Sequence, residues 1–110
     1  MSPVLAQADR ASWQRQAAAE LARILEAHPE LPCITWTVGP AGSVVVGQVS
    51  GLAPALQVRQ AFSAWRQALG LGECREKPGG GGTSRLHAAS RGGRVTVRLA
   101  ATVFGGQEDA

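Results

Sequence analysis

The chain has 110 residues, 45% of them hydrophobic and 17% charged, with a formal net charge of +3. That length and apolar fraction suffice to bury one core without a metal or disulfide scaffold, which argues for a single domain. No apolar run approaches the roughly 20 residues of a membrane span, and no charged segment followed by an apolar run opens the sequence. The expectation is a soluble cytoplasmic protein with no membrane partner.

The positive balance is carried by arginine, with Lys77 the only lysine. Abundant Ala, Gly and Arg is the composition a GC-rich bacterial genome encodes, so arginine content by itself is no binding signal. A modest positive charge supports solubility and weak attraction to polyanions without specifying nucleic acid. Cys33 and Cys74 make one conceivable pair, too few for a disulfide framework, and are expected as half-buried free thiols in a reducing compartment.

Residues 1–9 lack periodicity and are expected to fray, as are residues 105–110, around a single α+β domain spanning 10–104. In residues 11–27, Trp13, Ala17, Leu21, Ile24 and Leu25, continued by His28, fall at three- and four-residue spacings and predict an amphipathic helix. Asp9 or Ser12 is placed to cap it, and the His28-Pro29 step ends it. Residues 33–38 alternate, with Ile34, Trp36 and Val38 on one face and Cys33, Thr35 and Thr37 on the other, as in a half-buried strand. The Gly39-Pro40-Ala41-Gly42 sequence turns the chain into a return strand over residues 43–49, where consecutive Val44, Val45 and Val46 suggest cover on both faces.

Pro54 begins a second helix running to Leu69, with Val58, Ala61, Phe62, Trp65, Ala68 and Leu69 as its apolar stripe and Gly70 and Gly72 as its end. Residues 73–77 fit either a short edge strand or a loop arm, and the proline and glycines of 78–82 read as a flexible loop. Residues 83–90 alternate weakly, and Arg91-Gly92-Gly93-Arg94 makes a second hairpin turn. Val95, Val97, Leu99, Ala101 and Val103 then share one face of the clearest strand. The order α-β-β-α-β-β predicts two helices packed on one face of a four-stranded antiparallel sheet, five-stranded if residues 73–77 pair. Trp13, Trp36, Phe62 and Trp65 are its expected large core pieces.

No catalytic constellation stands out. Glu20, Glu26, Glu30, Glu73 and Glu76 fall on helix exteriors or loops, His28 closes a helix, and His87 sits on the outer sheet face. His28, Cys33, Cys74 and His87 lack the close ligand pairs of a zinc site. The glycines before Thr83 and Ser84 are followed by a strand, whereas a phosphate loop opens a helix. Neither cofactor nor metal is expected, and an enzyme ranks below a binding protein.

Two surfaces remain. Arg85, His87, Arg91, Arg94 and Arg98 are expected to gather near the second hairpin as an anion or nucleic-acid patch. Thr35, Thr37, Val45, Val49, Ala100 and Phe104, with Gly47 and Ala89, are expected to form a self-association face. The leading expectation is therefore a non-enzymatic interaction module that pairs as a homodimer through its open sheet face, with an unidentified protein partner. The alternative is a weak nucleic-acid-binding accessory protein using the arginines.

Overall fold

The computed structural model describes residues 3–39, 43–49 and 53–104, with side chains from residue 9 onward. The turn expected at 40–42, the approach to the second helix at 50–52, and the tail 105–110 lie outside the described residues. The elements run α1 (Pro3–Ala27), β1 (Thr35–Val38), β2 (Val44–Val49), α2 (Ala55–Ala68), β3 (Arg75–Pro78), β4 (Thr83–Ala89) and β5 (Thr96–Phe104). No helix among the described residues is long and apolar enough to cross a membrane.

The five strands form one open sheet in the order β1-β2-β5-β4-β3. Every neighbouring pair is antiparallel except β2 and β5, which run parallel. That pair departs from the all-antiparallel expectation for a physical reason. Helix α2 carries the chain back to the end of the sheet where β2 began, so β3 runs in the direction of β2. The β3-β4-β5 meander reverses twice, and β5 meets β2 pointing the same way. The segment with two readings is thus an edge strand, and its Lys77 and Pro78 are residue types that discourage a further strand from pairing there.

Strand alternation gives the sheet one dry face. Val97, Leu99, Ala101 and Val103 of β5, Leu86 and Ala88 of β4, and Val45 and Val49 of β2 are buried on the same side. Both helices cover that side, α2 through Val58, Phe62 and Trp65 and α1 through Ala17 and Ile24. Trp65 ties the layers together. Its ring meets Trp36 edge-on at 5.3 Å between centroids and His28 edge-on at 6.2 Å, and its Nε1–H donates to the Pro32 carbonyl at 2.8 Å.

Two expectations are corrected. Helix α1 begins at Pro3, so Asp9 and Ser12 lie inside it and cap nothing. Trp13 is 40% exposed, because α1 runs past the sheet: Gln16 already accepts a hydrogen bond from Ser43, the residue just ahead of β2. The glycines after Pro78 close a hairpin, in which Gly81 and Gly82 adopt φ of 67° and 78° and the Thr83 hydroxyl donates to the Gly80 carbonyl at 2.7 Å. Helix α2 ends as its glycine suggests. Gly70 takes φ 64°, its N–H donates to Gln67 and the Leu71 N–H to Arg66, which buries Leu71 against the core.

Candidate functional site

The face away from the helices carries the other half of each strand. Along one row Arg75 stands opposite His87, His87 opposite Ala100, Ala100 opposite Gln48 and Gln48 opposite Thr35. In the next row Lys77 stands opposite Arg85 and Arg85 opposite Thr102. On the other flank Ala89, Arg98, Val46 and Thr37 line up. The face is therefore split: cationic over β3, β4 and the start of β5, neutral over β1, β2 and the rest of β5.

Alternation also sorts the charges of β3. Arg75 and Lys77 face outward, while Glu76 between them faces the helices and accepts from both terminal nitrogens of Arg59 on α2, at 3.1 and 2.9 Å. These hydrogen bonds, ahead of the charge of Arg59, hold the Glu76 carboxyl below the usual carboxylate range. The negative charge of the strand is thereby taken off the open face. Arg75, Lys77, Arg85, Arg91 and Arg98 are all exposed, and none forms an ion pair among the described residues.

Where β4 turns into β5, the cationic half sinks into a hollow of about 490 Å³ lined by Gly72, Glu73, Arg75, His87, Ala89, Arg91 and Arg98. The connection from α2 to β3 closes one end, through the Gly72 N–H donating to the Ala89 carbonyl at 2.9 Å. Arg91 lies against Gly72, where an added Cβ would meet its Nε at 3.4 Å.

Of the expected patch, Arg85, His87 and Arg98 stand on the open face and Arg91 on the rim of its hollow. Arg94 does not join them. It lines a separate hollow on the helix side with Glu20, Arg23 and His28, because the turn carries it over the end of the sheet. Of the expected association face, Thr35, Thr37, Ala100 and Phe104 do face outward. Val45 and Val49 are corrected: both are buried beneath the helices, and the outward valines of β2 are Val44 and Val46. The same parity turns Gly47 inward, beneath Trp36.

Arg75 and Lys77 were not legible as site residues. Their signal is register: a hairpin closed by residues 79–82 gives Arg75 and Lys77 the parity of Arg85 and His87. Among the described residues, no three of His, Cys, Asp or Glu gather as for a metal. His28 and His87 lie on opposite sides of the sheet, and Cys33 and Cys74 are free and exposed instead of half-buried. Compared with protein-family models, curated proteins and solved structures, the chain matches none.

Proposed function

We propose that the protein is a non-enzymatic binding module that holds a phosphate-bearing polyanion, a single-stranded nucleic acid, on the cationic half of its open sheet face. The observation that carries this reading is Lys77 directly opposite Arg85, with Arg75 and His87 in the next row, Arg98 in the row beyond, and no acidic side chain on the open face of the described strands. Like charges facing each other across a strand pair destabilise a sheet by up to about 1 kcal/mol, and an anion laid over them reverses the sign. Phe104, 42% exposed at the end of the same face, supplies an aromatic surface on which an unpaired base can stack.

Self-association through the neutral half is a second reading, favoured by Val44, Val46 and Ala100 lying together on the outward side. Charge ranks it second, since stacking two copies squarely would press the cations together. An offset pair joined through β1 and β2 leaves the cations free, so the two readings are compatible. Fluorescence anisotropy with a labelled oligonucleotide at low salt tests the first: Lys77→Glu with Arg85→Glu should abolish binding, and unchanged binding would overturn it. Sedimentation at several concentrations tests the second, which a monomer throughout would end.

A further inference from the structure

We infer that the hollow beside Arg91 takes a phosphomonoester dianion, the terminal phosphate of a nucleic-acid strand or of a small phosphate ester. The inference rests on the polyanion reading of the open face and narrows it to one chemical group. The lining supplies the chemistry. His87 stands opposite Arg75 and one diagonal step from Arg98, and Arg91 overhangs them from the turn, so three planar guanidinium forks and an imidazole surround one space. Forks of that kind match phosphate oxygens two at a time, and a monoester carries close to two negative charges where an internal diester carries one. Glu73 on the rim opposes this field and is outnumbered by the guanidiniums.

Charge selects an end over a passing chain. The Gly72 to Ala89 hydrogen bond ties the rim of the hollow to β4, and Arg91 lies against Gly72, where an added Cβ would meet its Nε at 3.4 Å. A terminal phosphate brings to these guanidiniums close to twice the charge of an internal diester. Ala89, outward-facing with a single methyl group, leaves room, and about 490 Å³ is within the range of small-ligand sites.

The test uses the full chain and strands of one sequence bearing a 5′-phosphate, a 3′-phosphate or hydroxyls only, followed by anisotropy at low salt. Inorganic phosphate is titrated separately by amide NMR. A terminal phosphate should tighten binding roughly tenfold. Ala89→Leu, which fills the hollow without changing charge, and Arg98→Ala should both erase that preference, with circular dichroism confirming that each variant is folded. Inorganic phosphate should shift the amides of Gly72, Ala89 and Arg91. Phosphate shifts without oligonucleotide binding would support the hollow with a small ester as the source, and would end the strand reading. Equal affinity for all strands together with unmoved amides would overturn the hollow and leave the strand reading standing. No binding of either probe would overturn both.

Discussion

The indole of Trp36 lies over Gly47, the residue directly opposite it on the neighbouring strand. A Cβ built on Gly47 would stand 2.7 Å from Cζ3 and 2.8 Å from Cη2 of that ring. The glycine is thus a space filled by a tryptophan, and it fixes which side of β2 faces the helices. Gly47→Ala should push the ring off its seat against Trp65 and destabilise the fold by about 1–3 kcal/mol. Urea unfolding followed by tryptophan fluorescence measures it, and an unchanged midpoint would show that the ring has other room.

Trp65 holds the approach to β1 through its bond to the Pro32 carbonyl. Trp65→Phe keeps an aromatic ring and removes the donor, which should cost about 1–3 kcal/mol in chemical denaturation. A loss well under that range would mean that water replaces the indole N–H at Pro32.

Arg59 lowers the pKa of Glu76, so in the folded chain this carboxyl takes up a proton less readily than when unfolded. Its contribution to stability is present above the ordinary carboxylate pKa and is lost as pH falls through the lowered value. Glu76→Gln should therefore be less stable than the native chain at neutral pH, and the two should converge in acid. Unfolding midpoints measured across that range decide it; a gap that does not narrow would remove Arg59 from the explanation.

On the proposed reading, Phe104 should separate single strands from duplex. Stacking on an exposed ring is worth about 1–3 kcal/mol per base, so Phe104→Ala should weaken single-strand binding about 5- to 150-fold and leave duplex binding nearly unchanged. Competition between the two nucleic acids reads the difference, and equal losses would exclude stacking at this position.

Helix α2, the last strand and the shared dry face are legible because each shows its apolar side at a single period, as in Val97, Leu99, Ala101 and Val103; the stripe on α1 holds in part, since Ala17 and Ile24 are buried while Trp13 and Leu25 are exposed. Strand β2 is not legible, because Val44, Val45 and Val46 are apolar at both parities. Counting across the hairpin from the inward Trp36 to Gly47 resolves the phase and places Val45 and Val49 in the core. A strand of Arg75, Glu76, Lys77 and Pro78 has no apolar alternation to betray it, so half the cationic face stayed hidden with it. The exposure of Trp13 depends on where the sheet stops beneath α1, and the parallel pairing of β2 with β5 depends on the path of α2. Neither is written in a local pattern.

On the proposed reading, Arg75, Lys77, Arg85, Arg91 and Arg98 track phosphates. The salt dependence of single-strand binding tests it most directly, because each phosphate neutralised releases counterions and contributes roughly 0.7 to the slope of log K against log salt. For a strand with hydroxyl ends, where each of the five meets a separate phosphate, the slope expected is about −3.5, made shallower by about 0.7 with each of these side chains replaced by Ala. Binding that is indifferent to salt, or a slope that Arg85→Ala and Arg98→Ala leave unmoved, would contradict it.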